Sequence, residues 1–422
     1  MRVFDEYWMS GRMNEQTPSQ KYDVIVVGSG PAGSTTARFL AREGFKVKIL
    51  EAKSHVGIPV QCGEAMGKDT IEDILKLDIP KYVFRTEIDG FRVFSPSLNT
   101  IEYRLGAGEG YIVDRRVFDK ELLIGAVQEG ADIQINTRVK SIKIDPSEGV
   151  TLQVERKGKE GLEKAPVVVG ADGIYSTVAR DAGLAGPIDP KDLDTSVGYE
   201  MVGVEIDEPT MFDLYMGTEV APRGYLWIFP KGEHSANVGI GVGVGFGKKS
   251  VKEYLDDFIY KHLEGKRRFK HAKIIEERIG AIPVGGSLKR LATDRVLLVG
   301  DAARQVNPLT GGGIAYGMEA GEMVSKTLVK AFEEENFTEK FLRKHYEKQW
   351  NNAYGKSFSL GSKARKILDV ITDEQMEHIV EAFSGEDLTK AVTGKWAQIK
   401  LGTKLMKKDP SLVKLLREAL KD

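Results

Sequence analysis

The stretch that decides the fold is Lys21–Glu51, KYDVIVVGSGPAGSTTARFLAREGFKVKILE. Val24–Val27 is a short apolar, β-branched run of the kind that fills a parallel strand buried on both faces. It ends at Gly28-Ser29-Gly30-Pro31-Ala32-Gly33. Ala37, Phe39, Leu40 and Ala41 follow, with Arg38 and Arg42 between them, which suits a helix packed on one side. Gly44 stops that helix, and Val47–Leu50 predicts a second strand closing on Glu51.

Strand, glycine turn, helix, strand and terminal acid form a dinucleotide-binding βαβ pattern. Gly28 permits the tight turn, Gly30 lets the backbone approach a pyrophosphate, and Gly33 lets helix pack on strand. The helix N-terminus offers free N–H groups and a partial positive charge to the phosphates. Glu51 can accept from both ribose hydroxyls of an adenosine. An acid there disfavours a 2′-phosphate, so NADP is not expected in this site.

The 422 residues, 41% apolar and 29% charged, have the balance of a folded globular protein with room for two or three domains. A net charge of −1 supplies no general attraction for nucleic acid, and no nucleic-acid partner is expected. The single cysteine, Cys62, rules out an intrachain disulfide and any cysteine-cluster metal site. No metal is expected, and a reducing intracellular compartment fits. No apolar run reaches the length of a bilayer span. Residues 1–20 lack an apolar signal core and read as an irregular arm, in which Met13 is an alternative start to Met1.

Beyond Glu51, the loop Ser54–Gly67 carries Cys62-Gly63-Glu64. On the residues alone Cys62 reads as a small buried hydrophobe. Residues 70–105 hold a short helix and the alternating stretches Phe91–Phe94 and Thr100–Tyr103. Arg115 and Arg116 precede a helix expected from about Val117 to Glu129. They read either as a solvated helix start or as guanidinium contacts to a phosphate or ribityl group. Val139–Ile144 and Val150–Glu155 suggest a hairpin. The run Val167–Gly170, then Asp172-Gly173, Ser176 and Arg180, is either a second nucleotide-site signature or an ordinary strand-to-helix turn capped by aspartate.

Between residues 195 and 245 alternating runs predict an antiparallel sheet in an inserted domain. In it lies Tyr225–Gly232, YLWIFPKG. Tyr225, Trp227 and Phe229 share one face of a strand, as core or as the lining of an apolar cavity. Val251–Leu263 predicts a helix and Ile274–Pro283 a strand. Another strand ends at Gly300-Asp301, which puts Asp301 where ligands bind in open α/β sheets. Gly311, Gly312 and Gly313 precede a helix from Ile314 to about Glu334, and their bare N–H groups suit developing negative charge. From about Phe337 the pattern is helical. Residues 386–422, with nine Lys and Arg against five Asp and Glu, read as a solvated basic face or as a contact with anionic headgroups.

The GSGPAG turn with Glu51, the ADGIYSTVAR turn, and VGDAA with NPLTGGG occur in the order found in FAD enzymes of the para-hydroxybenzoate hydroxylase type. Within that group the CGE loop, YLWIFPKGE and VGDAARQVNPLTGGGI resemble the geranylgeranyl reductase family, over about residues 21–420. The resemblance implies an α/β fold. A Rossmann-type FAD-binding domain spans 21–182 and 286–335, an antiparallel-sheet substrate domain is inserted at 183–285, and a helical region runs from 336 to 422. It implies that FAD is held by Gly28, Gly30, Ala32, Gly33, Glu51, Ala52, Cys62, Gly63, Arg115, Asp301 and Gly311–Gly313. It brings Cys62 to the flavin, and Tyr225, Trp227 and Phe229 to an isoprenoid channel.

The reaction implied is saturation of C=C bonds in geranylgeranyl chains on glycerophospholipid ether-lipid precursors, in archaeal membrane lipid synthesis. An isolated alkene needs hydride on one carbon and a proton on the other. Glu64, Tyr225 and ordered water are the candidate acids, and Trp227 or Tyr225 would face the developing cation. Cys62, Glu64, Tyr225 and Trp227 are thus the catalytic candidates. NADPH or ferredoxin is the expected electron donor. A cytoplasmic enzyme peripheral to the inner membrane face is expected. The alternatives are a flavin monooxygenase or halogenase, a redox-neutral isoprenoid cyclase, and a non-catalytic isoprenoid carrier.

Overall fold

The computed structural model describes residues 21–104, 106, 108–383 and 409–412. The arm at 1–20 and all but four residues of the basic tail lie outside the described residues. The valine run Val24–Val27 is buried along its whole length. It sits between Val167–Gly170 and Val47–Leu50, parallel to both. Val296–Leu298 and Asp132–Gln134 extend the parallel sheet on either side, and Ala292–Thr293 adds an antiparallel edge. The helix Pro31–Arg42 crosses over between the first two strands and packs against the helices Arg115–Gln128 and Ile314–Glu333. The Arg115–Gln128 helix starts two residues earlier than its apolar pattern suggests, because Asp114 accepts from the Arg116 N–H at 3.1 Å and caps it.

The second unit is a seven-stranded sheet. Its order is Lys273–Pro283, Leu193–Val202, Ser235–Gly243, Tyr225–Pro230, Met211–Tyr215, Gly90–Phe94 and Thr100–Arg104. All pairings are antiparallel except that of Met211–Tyr215 with Gly90–Phe94. The last two strands correct the expected boundary: residues 90–104, expected within the cofactor domain, complete the substrate sheet. The physical reason is two-sided packing, with Phe94 stacked on Tyr215 at 4.5 Å and Phe91 on Phe212, on the opposite face, at 5.5 Å. One face of this sheet buries Leu226, Ile228, Val238 and Ile240 beneath the helix Val251–Lys261. That helix begins at a Ser250/Glu253 capping box and stops before His262, whose backbone is extended, so the expected run to Leu263 is two short helices.

The expected hairpin gains a third strand, Lys159–Ala165. The C-terminal helices send Tyr346, Trp350 and Phe358 into the core of the parallel sheet. Arg365 of the Lys356–Leu368 helix pairs with Asp194 and donates to the Pro308 carbonyl at 3.2 Å, tying both domains to the helical region.

The fold depends on close approach at the first turn. A Cβ on Gly33 would lie 2.0 Å from the Gly28 carbonyl oxygen, and backbone cannot yield. Gly33→Ala is therefore expected to destabilise the protein by about 3 kcal/mol or more. Thermal unfolding followed by circular dichroism checks this, and an unchanged midpoint contradicts it.

Candidate active site

The carboxyl ends of the parallel strands face one half of the seven-stranded sheet across a cleft of about 280 Å³. Pairing register explains that half. Ser196, Gly198 and Glu200 stand beside Gly241, Gly239 and Asn237, which stand beside Tyr225, Trp227 and Phe229, all on one face. On the outer strand Gly280 and Arg278 join the same face. The side towards the outer strand is a floor of glycines. The side beyond it is apolar: Tyr225, Trp227 and Phe229 continue through Phe212 and Phe91 to Tyr103, with successive ring centroids 5.0 to 6.1 Å apart.

Two helix N-termini meet the cleft. Gly30 caps the Pro31–Arg42 helix and Gly313 caps Ile314–Glu333, neither helix has a side-chain cap, and both glycines line the cleft. Their first N–H groups are left for a ligand. A Cβ on Gly30 would meet nothing within 4 Å, so the space beside it is open. These features fit the pyrophosphate and ring of a flavin dinucleotide.

Gly30, Ala32, Cys62, Gly63, Arg115, Trp227, Asp301, Gly311 and Gly313 all line the cleft. Gly28 and Gly33 serve packing instead, since a Cβ on Gly28 would lie 2.3 Å from the Ala171 carbonyl oxygen. Gly312 is exposed, and Ala52 lies outside the cleft wall. Glu51 is buried and accepts from the Ser29 N–H at 2.9 Å, the Ser29 hydroxyl at 2.7 Å and the Lys53 N–H at 2.8 Å. Three of its roughly four acceptor positions thus hold the turn, leaving room for one ribose hydroxyl rather than two.

Asp301 opens onto the cleft yet is ringed by protein. That burial raises its pKa, opposed by the nearby Arg115. The Arg115 guanidinium forks onto Asp119 at 2.6 and 2.9 Å. Burial works against its charge, but Asp119 and Cys62 beside it hold its pKa above the usual arginine value. Asp172 accepts from Ser176 and from the Val178 N–H at 3.2 Å, and Arg180 pairs with Asp181 near the surface. That segment is a strand-to-helix turn in which Ser176 caps the helix and Asp172 holds the cap, and its Ala171 and Gly173 reach the cleft.

Cys62 is half-buried in the cleft wall rather than core. Tyr225 flanks the wall, and its hydroxyl donates to the Thr310 carbonyl in the glycine loop. Burial, with Asp194 and Cys62 adding to it, raises its pKa, so the phenol keeps its proton. Phe229 lies edge-on to Phe212 at 5.0 Å and against Gly63, where a Cβ would come within 2.9 Å of its ring.

Glu64 does not fit the role of acid. Its side chain is fully buried and accepts from Arg278 at 2.6 Å, Lys231 at 2.9 Å, Asn237 at 3.0 Å and the Arg115 N–H at 3.0 Å. Burial works to raise its pKa, but Lys231 and Arg278 outweigh it and hold the carboxyl below its usual range. Glu64 is a locked carboxylate with no proton to give. Around it Glu200 pairs with Lys231 at 3.2 Å, with Arg116 at 3.0 Å and with Arg278, while Glu276 pairs with Arg116 at 2.8 Å. Sequence reasoning missed Asn237, Lys231, Arg278 and Glu200. The signal for Lys231 was present, because it continues the phase of Tyr225, Trp227 and Phe229 one residue past the end of their strand.

A lowered carboxylate pKa stabilises the fold above the usual value of 4.5, and that contribution is lost as pH falls through the lowered value. Glu64→Gln is expected to destabilise the protein by about 3 kcal/mol at neutral pH. The gap to the unsubstituted protein should close on acidification below 4.5, as unfolding midpoints measured from pH 7 to 3 will show. A gap independent of pH contradicts the ionised clamp. Gly30→Ala should leave the midpoint unchanged but weaken flavin retention, read as the visible absorbance of the purified protein.

The geranylgeranyl reductase catalytic domain matches residues 192–282, a NAD(P)-binding Rossmann-like domain residues 26–94, and a lycopene cyclase protein family residues 252–393. Digeranylgeranylglycerophospholipid reductase 2 of Methanopyrus kandleri is 36% identical over 95% of this chain and 100% of its own. The digeranylgeranylglycerophospholipid reductase of Methanocaldococcus jannaschii is 38% identical over 94% of this chain and 98% of its own. Among solved structures, a geranylgeranyl bacteriochlorophyll reductase-like protein from Thermoplasma acidophilum superposes with a TM-score of 0.84 at 30% identity, covering 94% of this chain and 99% of that one. The flavin-dependent brominase Bmp2 shares the fold alone, with a TM-score of 0.72 at 20% identity over 95% of this chain and 98% of that one. Sheet order, glycine turns, aromatic strand and full-length similarity agree, and the chain belongs to the geranylgeranyl reductase family, among its digeranylgeranylglycerophospholipid reductases.

Proposed function

We propose that this protein is an FAD-dependent reductase that saturates the C=C bonds of geranylgeranyl chains on glycerophospholipid ether-lipid precursors in archaeal membrane lipid synthesis. The observation that carries the reading is the single sheet face on which a glycine floor, open to a flat ligand, adjoins a ladder of aromatic rings. The names of the full-length relatives support the substrate.

Gly30, Ala32, Gly33 and Glu51 hold the adenosine and pyrophosphate half of FAD, directly or through the turn they form. Arg115, Asp301 and Gly311–Gly313 hold the flavin half, with Cys62 and Gly63 at its edge. Reduced FAD, when bound, supplies the hydride equivalent.

The chain's own residues orient the alkene and manage the proton. Tyr225, Trp227 and Phe229 give the isoprenoid an apolar bed, and Trp227 presents a ring face to positive charge developing on the alkene. Tyr225 holds a proton at its hydroxyl next to the glycine loop. A phenol whose pKa is raised is a weak acid, so its proton moves in concert with hydride delivery or through a water relay. Phe212, Phe91 and Tyr103 extend the bed for the distal chain. Binding of so apolar a chain scales with buried area, at about 25 cal/mol per Å². Truncation from C20 to C10 should therefore weaken it steeply. The substrate partitions into bilayers, which supports an enzyme that works at the membrane surface. Among the described residues no helix is long and apolar enough to cross a membrane.

Chemically reduced enzyme incubated with geranylgeranyl ether lipid without oxygen tests the reaction. Mass spectrometry should show gains of two hydrogens per double bond. Isomerisation without mass change would move the protein to the cyclase reading that the lycopene cyclase match favours. Oxygen in the product after aerobic incubation would move it to the monooxygenases.

A further inference from the structure

Asn237 is fully buried on the Ser235–Gly243 strand and joins three parts of the cleft wall. Its Oδ1 accepts from the Trp227 Nε1–H at 2.9 Å. Its Nδ2 donates to the Cys62 carbonyl at 3.1 Å and to Glu64 Oε2 at 3.0 Å. The orientation of this amide follows from chemistry. An indole nitrogen can only donate, and a backbone carbonyl and a carboxylate can only accept. Flipping the amide would break all three bonds and set its oxygen against the Glu64 carboxylate. The indole therefore fixes the amide, and the amide fixes the loop.

The glycines around it leave the ring little freedom. A Cβ on Gly239 would lie 2.3 Å from Trp227 Cζ2, so the indole lies flat on that strand. A Cβ on Gly63 would lie 3.6 Å from Trp227 Cε2 and 2.9 Å from the Phe229 ring, so the loop rests on the same rings. Lys231 and Arg278 donate to the same Glu64 oxygen, Oε2, and the Arg115 N–H to the other. The loop carrying Cys62 and the ring facing the alkene are thus set by one side chain that does not itself line the cleft.

We propose that Asn237 is a positioning residue, which locks the Trp227 indole and the Cys62–Glu64 loop in one arrangement so that lipid and flavin meet across a fixed gap. This rests on the reductase reading of the cleft, but one arm of its test does not. Cys62 is the only cysteine in the chain, so maleimide labelling of the holoprotein reports the freedom of this loop alone.

Asn237→Leu keeps the side-chain size and removes all three bonds, whereas Trp227→Phe removes the N–H that orients the amide. Both should speed Cys62 labelling, by about tenfold for Asn237→Leu, as the loop opens locally. Asn237→Leu should also lower kcat by about 100-fold, because a displacement near 1 Å at the reacting centre has that effect. KM for the lipid should change little, and the flavin absorption band should shift with the altered wall. The double variant should label no faster than Asn237→Leu alone, since both act through one amide.

Unchanged labelling in folded variants overturns the proposal. So does faster labelling with unaltered kcat, or additive effects in the double variant. Should Asn237→Leu fail to fold, Trp227→Phe carries the same labelling and band-shift test. If the unsubstituted enzyme does not turn over the lipid, the reductase reading fails, and labelling with the flavin band still decides the role of Asn237.

Discussion

A buried carboxylate sets the terms for the centre of this protein. An ion removed from water loses several kcal/mol of solvation unless charge partners and hydrogen bonds replace it. Glu64 has no solvent contact and finds its partners in three separate places: a lysine just past the Tyr225–Pro230 strand with an asparagine on the neighbouring strand, an arginine on the edge strand, and the backbone at the start of the Arg115–Gln128 helix. It adopts a left-handed backbone at φ 73°, which non-glycine residues take rarely. The loop is thus driven into one conformation by the charge it carries. Because the clamp draws on both domains, the two sides of the cleft cannot drift apart without leaving charge unpaired in a dry interior.

Held that way, one sheet face does two jobs. Glycines at 198, 241 and 280 remove side chains where a flat ring would lie. Their neighbours one strand away carry large rings, and one of these, Trp227, folds back over Gly239. The transition from empty floor to aromatic bed takes a single strand spacing, about 4.8 Å. A flavin and an alkene placed on either side of that line are neighbours by construction. The opposite face of the sheet is ordinary core under a helix, so the functional asymmetry comes from side-chain alternation alone.

The βαβ unit at Lys21–Glu51 was legible because each local signal agreed with the next, and its strands and helix fall where the pattern put them. The shared face of Tyr225, Trp227 and Phe229 was legible from period two. The strands Gly90–Phe94 and Thr100–Arg104 were visible as alternation and pair with each other, but the strand that joins them to the sheet, Met211–Tyr215, lies more than a hundred residues away, and alternation carries no address. Glu64 stood as one of three candidate acids because its protonation depends on Lys231 and Arg278, which only the fold brings to it. Asn237 gave no signal, since an amide in a strand looks like any solvated polar residue until its neighbours are known.

The work proposed for this cleft is the passage of electrons from a reduced flavin to an unactivated alkene. Anaerobic stopped-flow mixing of the reduced enzyme with a geranylgeranyl ether lipid tests it most directly. The oxidised flavin absorbance should return with the lipid and not with the fully saturated analogue. Flavin that stays reduced in the presence of the unsaturated lipid would contradict it.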